Sequence, residues 1–243
     1  MTLVSTEPKS IKLWTTNIKK VYLGSTQVRP PSNMPTANML AYYPLVSDAN
    51  DHKADLWVSG TTYNWSWYWT ASYTTVGGKT SAHFSYRSNS IDTGVTLWTL
   101  PVTLCAWSYF TSLDDWHCLI WNANGNNNDC YAIRWYNWWN NSYRPLLCNW
   151  TSSDLSLPNN LFVPNTWQFI AYTVNSSSTK FYIDGVLKYT WWAWWPASWY
   201  TWFWIASFWS YHNHWWDGNI RDVAIYNRVL TQDEITAYYS ETQ

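Results

Sequence analysis

Beyond residue 38 the apolar positions fall in short runs rich in β-branched and aromatic residues, each bounded by Asn, Asp, Ser, Gly or Pro. Such runs predict strands at residues 40–43, 82–86, 102–110, 117–120, 131–136, 143–148, 168–174, 180–183, 186–189, 203–208 and 220–226. Many short strands at this spacing indicate an all-β fold, a two-sheet antiparallel sandwich or jelly roll. The sharpest local signal is Asp184-Gly185, which sits between two β-rich runs and supplies the positive φ that a type I′ hairpin turn needs. One short helix is expected, at the C-terminal end. Thr231 with Glu234 three residues on forms a capping-box pattern, and Ile235, Tyr238 and Tyr239 make one apolar stripe.

Residues 1–37 read differently. Runs at 11–14 and 18–23 alternate apolar with polar residues, Gly24-Ser25 can turn the chain into Thr26-Gln27-Val28, and Pro30, Pro31 and Pro35 follow. This predicts a β-hairpin or attachment arm, then a stiff proline linker, ahead of a sandwich domain over 38–243.

Composition adds an anomaly: the chain holds 24 Trp against 8 Gly, where an average protein is roughly 7% Gly. The Trp residues stand where turns ask for Gly, as in residues 189–200, 64–69, 137–140 and 215–218, among Asn, Ser, Asp and Pro. The pattern is that of UGA codons meaning Gly in the source organism but decoded as Trp. The rival reading is a true indole-rich surface. Four indoles at Trp191, Trp192, Trp194 and Trp195 would then exceed the apolar patch of a few hundred Å² that soluble monomers tolerate.

A formal net charge of −1 with 12% charged residues leaves no electrostatic footprint for nucleic acid. No apolar run is long enough for a membrane-spanning helix, and the first residues lack the basic and apolar regions of a signal peptide. Cys105, Cys118, Cys130 and Cys148 match no zinc spacing and are read as buried thiols, with disulfides open if the compartment is oxidising.

Three segments together carry a family resemblance: Asn165-Thr166-Trp167-Gln168-Phe169-Ile170-Ala171-Tyr172-Thr173-Val174, Lys180-Phe181-Tyr182-Ile183-Asp184-Gly185, and residues 217–235 from Asp217-Gly218 through Asp222 to Ile235. Leu40-Ala41-Tyr42-Tyr43-Pro44-Leu45 and Leu104-Cys105-Ala106-Trp107 agree with it. Over roughly residues 38–240 the chain resembles the laminin G-like, concanavalin A-like lectin/glucanase family. The resemblance implies two antiparallel sheets, one of them concave. It also implies Gly where this chain has Trp204 and Trp216, and authentic Trp at Trp107 and Trp167.

Glucanases of that superfamily need two neighbouring carboxylates, one an acid and one a nucleophile or base. This chain has three Glu, at Glu7, Glu234 and Glu241, none on a central strand, and Asp114-Asp115 read as a turn. Catalysis is therefore not expected. The resemblance implies one structural Ca²⁺ in the loop after the first strand, where Asp48, Asn50, Asp51 and Asp55 offer hard oxygens, with Asp222 more distant. His212-Asn213-His214 offers two imidazoles without a third ligand. For glycan binding, Arg134 and Tyr136 share a strand face by the two-residue period, and Tyr143 and Arg144 open the next strand. Sequons at Asn64, Asn140, Asn149 and Asn175 matter only in a glycosylating host.

The expected function is non-catalytic recognition of a glycan or a cell-surface protein, at an extracellular, cell-surface or virion location. A homo-oligomer through the N-terminal arm is expected in the rival reading, a structural or adhesion domain of a phage or surface appendage. A glycan hydrolase is the third.

Overall fold

The computed structural model describes residues 12–13, 16–17, 21–23, 26–29, 34–52, 72–85, 90–97, 100–111, 117–123, 130–137, 143–147, 155–156, 161–192, 202–206 and 216–243. Four short strands come first. β1 (Lys12–Leu13) pairs with β2 (Thr16–Asn17), and β3 (Val21–Leu23) with β4 (Thr26–Arg29). The larger sheet runs β16 (Val186–Trp192), β15 (Ser178–Ile183), β14 (Gln168–Val174), β9 (Val102–Phe110), β18 (Gly218–Tyr226), β7 (Lys79–Phe84), β6 (Ser72–Val76). β5 (Met39–Tyr43) pairs with the second half of β18. The smaller sheet runs β13 (Leu155–Ser156), β12 (Tyr143–Leu147), β11 (Cys130–Asn137), β10 (His117–Ala123), β17 (Trp202–Ile205), β8 (Ile91–Asp92). The pairings are antiparallel, and the chain closes with α1 (Gln232–Thr242). The all-β, two-sheet fold expected from the sequence is the fold observed.

β9 and β14 are apolar at nearly every position because both of their faces are covered. Leu104, Ala106, Ile170 and Tyr172 point into the core between the sheets, where they meet Ile120, Ile133, Phe203 and Ile205 of the smaller sheet. Their alternate neighbours Cys105, Trp107, Phe169 and Ala171 face outward and are covered by Ile235 and Tyr238 of α1. Phe169 and Tyr238 stack with centroids 5.2 Å apart, and the Trp107 Nε1–H donates to Thr242 Oγ1 at 2.7 Å. Each large apolar side chain so buried contributes about 1.5–3 kcal/mol. The larger sheet is thus the middle layer of three.

Local chemistry sets the turns. Asp184 and Gly185 both have positive φ (51° and 76°), the type I′ geometry expected. Gly77 and Gly78 (54° and 76°) repeat it between β6 and β7, a hairpin that the sequence pattern did not assign. The capping box is formed, with Thr231 accepting from the Glu234 N–H and Glu234 accepting from the Thr231 N–H. The strand expected over 203–208 ends at Ile205. Ala206 turns left-handed (φ 67°), its N–H donating to Leu119 O and its carbonyl accepting from Trp216 N.

The non-glycine residues with positive φ are Asn38, Leu45, Asn165, Asp184, Ala206 and Asp222, so no described Trp sits in the left-handed region. Trp107, Trp204 and Trp216 are buried, while Trp192 is 85% exposed. The Trp-rich stretches around 65–69, 138–139 and 194–199 lie outside the described residues. Cys105 is a buried free thiol, burial pushing its pKa far up; Cys118 is buried too, and Cys148 lies outside the described residues. No helix among the described residues is long and apolar enough to cross a membrane.

Candidate functional site

The smaller sheet has one face in the core and one facing away from it. Ile133 marks the core side of β11, so the pleat gives Arg134 and Tyr136 the opposite parity. Across the β11–β12 ladder Tyr136 stands opposite Arg144, and Arg134 opposite Leu146. The backbone register therefore groups Arg134, Tyr136 and Arg144 on the outward face of two adjacent strands. Tyr143 stands opposite Asn137 and takes the parity of Ile133, so it does not join them. The sequence reading named these four residues without the cross-strand register, which places Arg134, Tyr136 and Arg144 at one parity and Tyr143 at the other.

The same outward parity, three strands away, belongs to Asp92, which pairs with Trp204, itself paired with Trp121. Burial raises the Asp92 carboxyl above the ordinary carboxylate range, partly offset by the Gly94 N–H it accepts at 2.8 Å. A raised carboxyl suits a general acid, but hydrolysis needs a second carboxylate within reach. Three other described carboxylates are engaged elsewhere. Asp184 accepts from Phe169 N at 2.9 Å, Glu234 from Arg228 at 2.6 and 2.7 Å, and Asp222 from Tyr42 and Arg221. Sequence reading missed Asp92, whose only signal is an acidic residue beside an apolar one in Ile91-Asp92.

The acidic turn after β5 is built as follows. Asp48 Oδ1 accepts from Asn50 N at 2.9 Å and meets His52 Nε2 at 2.8 Å. Burial acts to raise the Asp48 carboxyl, but the His52 and Asn50 hydrogen bonds outweigh it and hold the group below its usual range. Asp51 is buried, and its Oδ1 accepts from Tyr42 N at 2.9 Å while His52 N donates to Tyr42 O at 2.6 Å. These two bonds seal the outer edge of β5 in place of a further strand. Asp51 is thus an edge clamp, Asp222 belongs to another network, and Asp55 lies outside the described residues. Among the described residues no group of three His, Cys, Asp or Glu side chains gathers to hold a metal. The pairs Asp114-Asp115 and His212/His214 lie outside the described residues as well.

A laminin G-type model of the concanavalin A-like lectin/glucanases superfamily matches residues 77–236. No curated protein sequence matches the chain significantly. Similar solved structures include domain 4 of AbnA, a GH43 extracellular arabinanase from Geobacillus stearothermophilus, in complex with arabinotriose. It is 16% identical over 85% of this chain and 98% of that one, with a TM-score of 0.59. Botulinum neurotoxin type C, whose cell entry depends on two ganglioside molecules, is 14% identical over 86% of this chain and 52% of that one, with a TM-score of 0.60. Trypanosoma rangeli sialidase is 15% identical over 91% of this chain and 36% of that one, with a TM-score of 0.59. The chain therefore spans nearly all of the arabinanase domain, about half of the neurotoxin chain and about a third of the sialidase. At these identities the likeness is one of fold.

Proposed function

The chain belongs to the concanavalin A-like lectin/glucanase superfamily, matched over residues 77–236, and from that premise we propose that it binds carbohydrate without cleaving it. The observation that carries this reading is the register opposing Tyr136 and Arg144, with Arg134 two residues along on the same face. A tyrosine and two arginines at one parity of two adjacent strands are residue types that suit a sugar ring and its hydroxyl or carboxylate oxygens. The arabinotriose complex and the ganglioside dependence of two proteins of this fold support it. So do the hydrogen bonds that engage Asp184, Asp222 and Glu234. Such a domain works where glycans are displayed, on a cell or virion surface.

The test is a glycan array, followed by calorimetry of Arg134→Ala, Tyr136→Ala and Arg144→Ala. Loss of binding by tenfold or more, with an unchanged circular dichroism spectrum, is expected. Unchanged binding, or release of reducing ends from any glycan, would overturn the reading. The proposal extends to one calcium ion at the turn containing Asp48 and Asn50. Calcium would compete with His52 for Asp48, so a calcium-dependent rise in thermal midpoint should vanish in Asp48→Asn.

A second reading, assembly through the N-terminal arm, is favoured by one feature. Among the described residues β1 to β4 pair only among themselves and add no strand to either large sheet. Light scattering of a 38–243 fragment beside the full chain tests it: loss of an oligomer with glycan binding intact would assign attachment to the arm.

A further inference from the structure

The helix α1 covers only part of the outward face of the larger sheet. Beyond it, Tyr109 of β9, Asn219 of β18, His83 of β7 and Ser72 of β6 stand directly opposite one another in a single row across four strands. Ile220 and Ala82, one position along, point into the core, so the row faces away from it. Asn219 is buried between half-exposed Tyr109 and His83. Its Nδ2 donates to Thr74 Oγ1 at 2.7 Å and to Ser81 Oγ at 2.9 Å, which turns Oδ1 toward His83 Nδ1 at 3.3 Å. Oδ1 carries no proton, so Nδ1 must be the donor. In the neutral imidazole this tautomer leaves the acceptor on Nε2, for which no protein partner is found among the described residues.

At the other end of the row Tyr109 lies against Trp167, centroids 5.6 Å apart and planes tilted by 50°. The indole is fixed by its Nε1–H, which donates to Val76 O at 2.8 Å. Tyr109 and His83 are two strand spacings apart, roughly 10 Å. The row contains no carboxylate to hold a cation and no cluster of positive charge to hold a polyanion. It offers two aromatic rings, the hydroxyls of Thr74 and Ser81, and one oriented imidazole.

We infer that this row is a second carbohydrate-binding surface, on the opposite side of the sandwich from Arg134, Tyr136 and Arg144, for a neutral oligosaccharide. One sugar ring packs on Tyr109 and Trp167, and a hydroxyl of the next donates to His83 Nε2. Asn219 is a positioning residue, acting through the imidazole. The inference shares the premise that the chain binds carbohydrate, but not the site.

The experiment is calorimetric titration of the full chain with lactose, cellotriose and arabinotriose, for the wild type, Arg134→Ala/Arg144→Ala, and Tyr109→Ala and His83→Ala separately. His83→Gln, which keeps an acceptor, guards against a merely structural effect. The inference expects the double arginine variant to retain binding of at least one of these sugars, Tyr109→Ala and His83→Ala to weaken it at least tenfold, and His83→Gln to restore part of it. It is overturned if Tyr109→Ala and His83→Ala, folded by circular dichroism, bind all three as the wild type does, or if the wild type binds none. Binding lost only in the arginine variant would overturn the second surface and leave the first standing. Binding lost only in the Tyr109 and His83 variants would do the reverse.

Discussion

The Tyr42 hydroxyl donates to Asp222 Oδ1 at 2.5 Å, joining residues 180 positions apart in sequence. Around that bond three elements meet. Arg221 Nε holds the second carboxylate oxygen at 2.6 Å, Tyr238 Oη–H of α1 donates to Asp222 O at 2.8 Å, and Asp222 N donates to Pro44 O at 3.1 Å. Asp222 has a left-handed backbone (φ 49°) at the register shift between Arg221 and Ala224. The bulge lets one long strand pair first with β7 and then with β5 along the same edge. Burial and the Asp222 charge together raise the Tyr42 hydroxyl well above its ordinary pKa, so it stays a donor.

Removing that donor should be felt. Tyr42→Phe leaves one oxygen of a buried carboxylate without its hydroxyl, a loss of about 1–3 kcal/mol. The urea midpoint should fall accordingly. Asp222→Asn, which tolerates the left-handed backbone, should be milder than Asp222→Val, and the reverse order would show that the bulge is not what Asp222 provides.

Gly218→Ala should prevent folding or nearly so. Its φ is 145°, and a Cβ there would lie 2.2 Å from the Tyr109 carbonyl oxygen in the neighbouring strand. The effect should exceed the roughly 1 kcal/mol typical of point substitutions. A thermal midpoint close to wild type would refute the close approach of β9 and β18.

Acid should loosen the helix start. The Arg228 hydrogen bonds hold the Glu234 carboxyl below its ordinary range, with burial opposing and the Thr231 N–H assisting. A depressed folded pKa stabilises above the unfolded value, about 4.3, and the contribution disappears as pH falls through the folded value. Glu234→Gln keeps the cap but not the charge. The gap in urea midpoint between it and the wild type should be full at pH 7 and narrow as the pH falls below the unfolded value of about 4.3.

The tryptophan anomaly yields a prediction of its own. If UGA codons were decoded as Trp, the gene should carry UGA at most Trp positions and UGG at few, Trp107 and Trp167 among them. Protein from its native source should then have a mass that fits Gly. Trp192→Gly, exposed on an edge strand, should shift stability by less than about 1 kcal/mol. Trp107→Gly should cost about 3–5 kcal/mol, since a buried indole is lost. UGG throughout would make the indole-rich loops genuine.

The sequence by itself determined the features that neighbouring residues encode. The runs 102–110 and 168–174 have the limits of β9 and β14, because strand propensity and bounding turn residues are local. Asp184-Gly185 and the Thr231–Glu234 pair announced their turn and cap for the same reason, and Gly77-Gly78 carried a signal that could have been read. Tertiary structure alone decided the rest. Whether Tyr143 joins Arg134 and Tyr136 depends on the register between β11 and β12, and a slip of one residue would reverse it. The Asn219 amide meets His83 136 residues away and Thr74 145 residues away. No local pattern contains those distances, since they exist only once the packed cores on both sides of the larger sheet have fixed its strands against one another.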